Sequence, residues 1–368
     1  MTRRLAILTS FSGDGGVERA LTSLLPGFLG SGVDVALLLM RARGPFLDAI
    51  PDQVDVIKLG SSHTFFNVMA IARYLRRARP AAVLAVRHRA ILAALAARRI
   101  SGVPVRVVGS IHTSVSASFA SRPVQGAIRK AFMRLFYPGV DAVVAVSAGA
   151  ASDIRSICRL TERQVEVIHN PVLSPKVLGM AGAPVPHPWL ESSNTPWPVI
   201  MGIGRLTEAK DFRTLLHAFA LTRRAMPCRL IILGRGRLKT DLEDLARRLG
   251  IADDVAFPGF VDNPYCWLSR ARLFALSSRV EGFGMVLAEA LALGVPVVAT
   301  DCPSGPREIL QGGRYGALVP VGDPGALAAA MTAALAGPRP DPSTLKEAAA
   351  DYTVEAATRR YLAVLDLP

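Results

Sequence analysis

Cysteine is scarce in this 368-residue sequence. The chain has four cysteines, far apart along the sequence: Cys158, Cys228, Cys266 and Cys302. Their spacing fits neither a disulfide framework nor a set of metal ligands, so we expect reduced thiols in the core. No uncharged apolar run is long enough to span a bilayer, and the apolar stretch after Arg3 and Arg4 ends at Thr9, too early for a signal peptide. We therefore expect a cytoplasmic protein.

Acidic residues are absent between Asp55 and Asp141, whereas arginines accumulate there. Residues 1–172 carry 22 Lys and Arg against 10 Asp and Glu, while residues 173–368 carry 21 against 19. The N-terminal half is therefore the basic half, and its charge suits nucleic acid or an anionic membrane surface. Recognised nucleic-acid-binding motifs are missing as well, so we expect no nucleic acid and favour the membrane.

Two segments of the basic half, residues 65–77 and 128–137, mix large apolar or aromatic side chains with cations at helical spacing. This pattern is typical of helices that lie in a membrane interface. It is equally typical of an amphipathic helix that covers a sheet and turns its cations to solvent. The sequence leaves both interpretations open. The first predicts a peripheral protein on the inner face of a membrane.

The chain alternates short β-branched runs with helical stretches, which predicts an α/β protein with parallel sheets. Its length predicts two domains. We place a Rossmann-like domain over residues 1–172, a linker rich in Pro, Gly and Ser over 173–198, and a second Rossmann-like domain over 199–343. Residues 344–368 are predicted as a C-terminal helix. Such sheets bind ligands beyond the carboxyl ends of their strands, so two domains that face each other would form a site in a central cleft.

A helix predicted over residues 285–293 is almost entirely apolar, yet it contains Glu289. Such a helix is buried on every side, and an unpaired carboxylate in that setting is strongly unfavourable. We therefore predict that Glu289 points into a cleft and accepts hydrogen bonds from the hydroxyls of a ligand. The alternative is a core carboxylate with an internal partner.

The loop before this helix combines Glu281 with two glycines, Gly282 and Gly284. Glycine permits an irregular backbone, in which the amides of Phe283, Gly284 and Met285 can open toward a ligand at the positive end of the helix. The alternative is that Glu281 is only a first-turn acid favoured by the helix dipole.

The segment from Glu281 to Asp301 resembles the signature of retaining glycosyltransferases with the GT-B fold, of the family-4 type. It contains Glu281-x7-Glu289, Gly-Phe-Gly after the first Glu, and the run Ala-Leu-Gly-Val-Pro-Val-Val-Ala-Thr-Asp. The resemblance implies that Glu281 and the amides after it hold the donor sugar, and that Glu289 binds the ribose of the nucleotide. In GT-B proteins the last helix often crosses back, so we expect residues 344–368 to pack toward the N-terminal domain.

Two cations, Arg205 and Lys210, follow the predicted strand 199–203. A fork-shaped guanidinium and a mobile ammonium suit two adjacent phosphates. The resemblance implies the same role, with both residues stabilising the leaving diphosphate. The alternative is a pair of surface ion pairs with Glu208 and Asp211, each worth at most about 1 kcal/mol.

The N-terminal half adds a glycine-rich loop, residues 11–20, and two candidate histidines, His88 and His112. Free amides at the start of a helix favour phosphate, and the resemblance implies that Gly16 lies beside the donor diphosphate. His112 follows a predicted strand, where the resemblance implies a position near the donor sugar and the acceptor. A structural role for His112 stays open, and His88 is an alternative on the acceptor side.

Selectivity is expected to depend on a few further side chains. We assign sugar choice to the surroundings of Phe283, Met285 and Ser304, and base choice to Arg235, Phe260 or Val261. The stretch 301–309 is either the family's Glu-containing loop near the donor or only a helix start at a proline.

No Asp-x-Asp pair occurs in the sequence. Glycosyltransferases of another common fold use such a pair to hold a cation, so we expect no metal and no cofactor.

The resemblance implies a retaining hexosyltransferase that moves a sugar from a nucleotide diphosphate sugar, a UDP-sugar, to a glycan or lipid-linked acceptor. Glu281, His112, Arg205 and Lys210 are the predicted catalytic residues. The alternatives are a nucleotide-sugar epimerase on the same fold and a non-catalytic basic membrane-binding protein.

Overall fold

The computed structural model describes residues 4–13, 15–60, 64–118, 123–191 and 197–368. The chain divides into two compact units. Unit 1 comprises Met1–Pro171 together with Val354–Pro368, and unit 2 comprises Val172–Thr353. Each unit contains one parallel β-sheet, as the alternation of strands and helices predicts.

The sheet of unit 1 has seven strands in the order β3-β2-β1-β4-β5-β6-β7, and every neighbouring pair is parallel. Its central strands are continuous apolar runs, because helices cover both faces of a parallel sheet. The strands are β1 (Arg4–Ser12), β2 (Asp34–Arg43), β3 (Asp55–Lys58), β4 (Ala82–Val86), β5 (Arg106–Ile111), β6 (Ala142–Ala145) and β7 (Val165–Val167).

The helices of unit 1 are α1 (Gly16–Gly30), α2 (Thr64–Ala78), α3 (His88–Ser101), α4 (Val115–Ser118), α5 (Pro123–Phe136), α6 (Ala148–Cys158) and α16 (Val354–Leu365). The last of these, α16, packs on α1 and β5. Tyr361 of α16 lies edge-on to Phe28, with ring centroids 6.2 Å apart, and its hydroxyl is 3.2 Å from Ser110 Oγ at the end of β5. Arg106 Nε donates to Val364 O at 2.8 Å.

The sheet of unit 2 has six strands in the order β10-β9-β8-β11-β12-β13, again all parallel. This is the strand order of a Rossmann domain. The strands are β8 (Val199–Ile203), β9 (Arg229–Leu233), β10 (Val255–Gly259), β11 (Leu273–Leu276), β12 (Val297–Thr300) and β13 (Ala317–Val319). The helices are α7 (Pro175–Ala181), α8 (Pro188–Glu191), α9 (Phe212–Ala225), α10 (Lys239–Arg248), α11 (Tyr265–Leu268), α12 (Met285–Ala292), α13 (Pro306–Ile309), α14 (Pro324–Ala336) and α15 (Pro342–Glu347).

The structure differs from the predicted boundaries at two places. The described part of 173–198, expected as a linker, belongs to unit 2 and contains α7 and α8. Prolines lie at the starts of these helices, where a missing amide is tolerated, so a proline-rich composition did not mean an extended linker. Residues 344–368 form two elements instead of one helix, because α15 ends at Glu347 and α16 begins at Val354.

The two passages of the chain between the units lie side by side. The amides of Val172 and Leu173 donate to Tyr352 O at 2.9 and 3.0 Å.

All four cysteines are buried and free. Among the helices of the described residues, none is long and apolar enough to cross a bilayer.

Candidate functional site

The sheet topology of unit 2 brings two sequence motifs together. Strand order reverses between β8 and β11, and loops at such a switch point form a crevice at the carboxyl edge of the sheet. The loop after β8 carries Arg205 and Lys210, and the loop after β11 carries Glu281. These are the segments that sequence reasoning selected independently.

Lys210 and Glu281 form an ion pair, with Lys210 Nζ 2.5 Å from Glu281 Oε1. The same oxygen accepts a hydrogen bond from Ser278 Oγ at 2.6 Å, and Ser278 O accepts one from Thr300 Oγ1 at 2.6 Å. Glu281 is only 9% exposed, so its charge is held by these donors and little by water. The pairing was not predicted, because Lys210 and Glu281 lie 71 residues apart in sequence.

The charge of Glu281 extends to Cys302, at the end of the neighbouring strand β12. Burial, followed by the negative charge of Glu281, raises the pKa of the Cys302 thiol to about 12. Cys302 is therefore a neutral thiol and takes no part in the charge balance of the crevice.

The alternative interpretation of the cations, as surface ion pairs with Glu208 and Asp211, is wrong. Lys210 pairs with Glu281 instead of Glu208, and Asp211 pairs with Arg279, whose Nε lies 2.8 Å from Asp211 Oδ2. Arg205 is exposed and makes no ion pair within the described residues. Its guanidinium is therefore available to a ligand at the edge of the sheet.

Helix α12 begins at Met285, so Glu281 lies in the preceding loop and Glu289 lies in the helix. Gly284 caps the helix with φ 93° and ψ 48°, a left-handed conformation that favours glycine. Among the described residues, no side chain caps the N-terminus of α12, and Glu289 is only 2% exposed. The structure thus has first-turn amides beside Glu281 and a buried carboxylate one turn further along.

The loop of Phe283 is held by close packing. Gly305 has φ 95°, and a Cβ atom there would lie 1.9 Å from Phe283 O, so only glycine fits. The Phe283 ring packs edge-on against Tyr352, with centroids 5.0 Å apart at 90°. Tyr352 is the residue that also binds the amides of Val172 and Leu173. The Phe283 side chain therefore has a packing role, in addition to its predicted position beside the donor sugar.

Two of the residues assigned to base choice contact each other. The Arg235 guanidinium carbon lies 5.1 Å from the centroid of the Phe260 ring, and Val261 follows in the chain. Arg235 comes after β9, which neighbours β8 in the sheet, and Phe260 comes after β10, the edge strand beyond β9. A guanidinium stacked on an aromatic ring forms a flat surface of the kind on which a base can stack.

The stretch 301–309 contains a helix start at a proline, as one of the two interpretations predicts, since Pro306 is the first residue of α13. Arg307 pairs with Asp301 at its surface. Ser304, with φ 69°, precedes Gly305 and therefore lies beside the Phe283 loop. Glu308 is half-buried on α13.

Unit 1 has its own switch point, between β1 and β4. Gly15 caps α1 and Gly16 is its first residue, while Asp14 lies outside the described residues. The buried Glu18 pairs with Arg87, with Oε2 2.8 Å from Nη2, and Arg87 Nη1 donates to Ser10 O at 3.2 Å. Sequence reasoning missed this pair, which ties the glycine-rich loop to the end of β4.

His112 follows β5 and is within hydrogen-bond distance of Ser110, with Nε2 3.0 Å from Oγ. Its Nδ1 is buried and has no hydrogen-bond partner in the described part of the chain. Burial, followed by the charge of Arg87, lowers the pKa of His112 to about 3. His112 is therefore a neutral imidazole with one nitrogen still to be satisfied.

His88 opens α3 and packs on Tyr137. The two rings are stacked with centroids 5.7 Å apart, and His88 Nδ1 is 3.1 Å from Tyr137 Oη. Burial, followed by the charges of Arg129 and Arg89, lowers the pKa of His88 to about 4. His88 is thus a neutral side chain among cations at the same edge of the sheet as His112.

The two amphipathic segments of unit 1 behave differently. On α2, the apolar side chains Val68, Ile71 and Leu75 are buried in the core, so this helix covers the sheet. On α5, five large apolar side chains are 42 to 71% exposed: Val124, Ile128, Phe132, Leu135 and Phe136. We call these five side chains the α5 face. An apolar face of this size on a surface helix is typical of a surface that meets another apolar phase.

Comparisons with known proteins cover most of the chain. The family model described as "Glycosyl transferases group 1" matches residues 197–337, and "Glycosyltransferase Family 4" matches residues 14–172. The chain is a group 1, family-4 glycosyltransferase. Sequence relatives support the same assignment, and solved structures show the same fold.

Two relatives align over most of this glycosyltransferase. The N-acetylgalactosamine-N,N'-diacetylbacillosaminyl-diphospho-undecaprenol 4-alpha-N-acetylgalactosaminyltransferase of Campylobacter jejuni is 28% identical over 87% of the chain and 86% of its own length. The lipopolysaccharide core biosynthesis glycosyltransferase LpsE of Rhizobium meliloti is 28% identical over 85% of the chain and 83% of its own length.

Solved structures show the GT-B fold. Sucrose-phosphate synthase from Thermosynechococcus elongatus has a TM-score of 0.84 at 20% identity, with 99% of this chain and 98% of that one covered. HepE of Anabaena in complex with UDP and glucose has a TM-score of 0.78 at 20% identity, with 99% of both chains covered. The fold predicted from the sequence is confirmed.

Proposed function

We propose that this glycosyltransferase is a retaining, metal-independent hexosyltransferase that uses a UDP-sugar donor. The observation that carries the proposal is the crevice of unit 2, where Lys210, Arg205 and Glu281 meet the first turn of α12. A structural neighbour, HepE, has been solved with UDP and glucose, which supports a nucleotide-sugar donor of this type.

The proposed chemistry follows from the charges in the crevice. Negative charge on the diphosphate grows as the bond to the sugar breaks, and Arg205 and Lys210 would stabilise it. Lys210 is paired with Glu281 in the described state, so a bound diphosphate would take over part of its hydrogen bonding. Glu281 and the amides of Phe283, Gly284 and Met285 would then contact the sugar hydroxyls.

Glu289 would hold the ribose, and the Arg235–Phe260 pair with Val261 would receive the base. Gly16 would lie beside the diphosphate, and neutral His112 would contribute a polar nitrogen from the buried edge of unit 1. No group of three or more His, Cys, Asp or Glu suited to a metal ion is found among the described residues. Arg205, Lys210 and the α12 amides would neutralise the charge of the diphosphate in place of a metal ion.

We propose a glycan or lipid-linked acceptor at the inner face of a membrane. The Campylobacter jejuni relative acts, by its name, on a diphospho-undecaprenol acceptor, and LpsE acts in lipopolysaccharide core biosynthesis. The α5 face lies beside Arg129, Lys130 and Arg134, which combines apolar and cationic groups in one surface. This surface supports docking on anionic lipid.

A transfer assay tests the proposal. The purified protein is incubated with UDP-sugars and a lipid-linked acceptor extract, with and without EDTA, and release of UDP is measured. We expect release that depends on the acceptor and is unaffected by EDTA, and a product whose anomeric configuration matches the donor. Loss of turnover with EDTA that Mn²⁺ or Mg²⁺ restores would contradict the proposed diphosphate chemistry. Conversion of the donor sugar without an acceptor would instead favour the epimerase.

A further inference from the structure

Three consecutive residues after β8 are held by residues that follow β11. Ser277 Oγ donates to Lys210 O at 2.9 Å, and the Arg279 amide donates to Ala209 O at 2.8 Å. The side chain of Arg279 then reaches Asp211, with Nε 2.8 Å from Oδ2. We call this set of hydrogen bonds, formed by Ser277 and Arg279 with residues 209–211, the clasp.

Asp211 is fixed from its other side as well. Its carboxylate accepts from Thr214 N at 3.4 Å and from Thr214 Oγ1 at 2.9 Å, and so caps α9. The backbone of Asp211 is left-handed, with φ 47° and ψ 48°, a conformation that is uncommon for a residue other than glycine. Such a conformation persists where surrounding contacts impose it, and the clasp supplies those contacts.

The pair between Arg279 and Asp211 is a poor source of stability. Asp211 is buried, but the side chain of Arg279 is 60% exposed, so water screens the charge of the pair. Its position in the chain is more informative. Arg279 lies two residues before Glu281, and Asp211 directly follows Lys210. The pair therefore fixes the distance between the two backbone segments that carry the Lys210–Glu281 ion pair.

We propose that Arg279 and Asp211 are positioning residues that hold Lys210 in register with Glu281 for transfer; this inference rests on the proposed function. Lysine has a long flexible stem, so the place of its ammonium depends on where its backbone is held. A catalytic group that moves by about 1 Å can lose a hundredfold in rate. The clasp removes that freedom before a donor binds.

The test compares turnover and melting of Arg279→Ala and Asp211→Asn with the wild type. Asparagine keeps the cap on α9 and tolerates the left-handed backbone, but it removes the charge that faces Arg279. We expect kcat to fall on the order of 10- to 100-fold in both variants, with a KM for the UDP-sugar close to wild type. Arg279→Lys should recover part of kcat, since one donor to Asp211 suffices.

A double mutant separates positioning from direct contact. If Arg279 acts through Lys210, Arg279→Ala should change kcat by less than about twofold in a Lys210→Ala background. The matched control is Arg213→Ala. Arg213 lies on α9 and forms a surface pair with Asp241 of α10, with Nη2 3.2 Å from Oδ2. This control should keep both the wild-type kcat and the wild-type melting temperature.

Three results would overturn the inference. They are a normal kcat in Arg279→Ala, an equal loss in the Arg213→Ala control, and multiplicative losses in the double mutant, which would mean that Arg279 contacts the donor itself. A failure of the proposed function would give a different result, because the Lys210→Ala variant alone would then keep full activity.

Discussion

His88 and His112 are neutral for the same physical reason. Each imidazole is removed from water at the carboxyl edge of the unit 1 sheet, and each faces arginine, so protonation would place a second positive charge in a poorly hydrated place. His88 faces Arg89 from α3, Arg129 from α5 and the phenol of Tyr137. A neutral imidazole is also the form that can accept a proton or a hydrogen bond.

A pH dependence follows for His88. Its pKa is lowered from 6.5 to about 4, so between pH 7 and pH 5 the unfolded chain takes up a proton that the folded chain does not. The unfolded state then binds more protons, and the free energy of unfolding falls as pH falls. We expect His88→Gln to show a smaller drop in melting temperature from pH 7 to pH 5 than the wild type.

Calorimetry is the suitable readout, because Trp189, Trp197 and Trp267 all lie in unit 2 and their fluorescence does not report on unit 1. His217→Gln is the matched control, since His217 is exposed on α9. An equal drop for His88→Gln and the wild type would show that His88 is protonated in the folded chain.

Motif spacing selected Arg205, Lys210, Glu281 and Glu289 from the sequence. It did not select the ion pair between Lys210 and Glu281, because that pair depends on two loops that meet only when strands β8 and β11 are neighbours. The alternative of surface ion pairs treated Asp211 as a surface acid, whereas its carboxylate is buried. Local polarity does not reveal burial that tertiary contacts impose.

Helices α2 and α5 have similar sequence patterns but different surroundings. The apolar side of α2 packs into the core, whereas α5 buries Met133 and leaves the α5 face exposed. Phe132 and Phe136 stack on this face, with centroids 6.1 Å apart. Periodicity predicted both helices but could not say which apolar side faced the sheet, since that depends on how each helix is rotated about its axis.

The docking proposal predicts two kinds of loss. Replacing Arg129, Lys130 and Arg134 with Glu should release the protein from anionic vesicles, because each cation near such a surface contributes about 1 kcal/mol. Replacing Phe132 and Leu135 with Ser should weaken binding at high salt as well, since salt screens charges but not apolar insertion. Vesicle co-sedimentation at low and high salt measures both.

Leu221→Ser is the matched control for docking, because Leu221 is 43% exposed on α9 of unit 2. It should bind vesicles as the wild type does, and nucleotide affinity should be unchanged in every variant. Equal vesicle binding by wild type and by the Phe132 and Leu135 variant would leave the α5 face without a role in docking.

Across the whole molecule, the regular alternation of strands and helices predicted both sheets, because buried parallel strands are continuous apolar runs. The boundaries between the two units were harder to predict from the sequence. Helices α15 and α16 are separated by only a few residues, yet the first belongs to unit 2 and the second to unit 1. Amphipathic patterning predicts that a segment is helical, but the surface on which it packs is a long-range property.

We predict that the crevice of unit 2 binds a nucleotide through Glu289, whose carboxylate accepts hydrogen bonds from the ribose. Isothermal titration of UDP and of 2'-deoxy-UDP onto the wild type and Glu289→Gln measures this interaction. A carboxylate that accepts from the ribose hydroxyls should lose affinity when either partner is changed, by about tenfold for a loss of about 1.4 kcal/mol. We predict that UDP binds the wild type more tightly than 2'-deoxy-UDP, and that the variant binds both with the same reduced affinity. Equal UDP affinity for the two proteins would contradict the account.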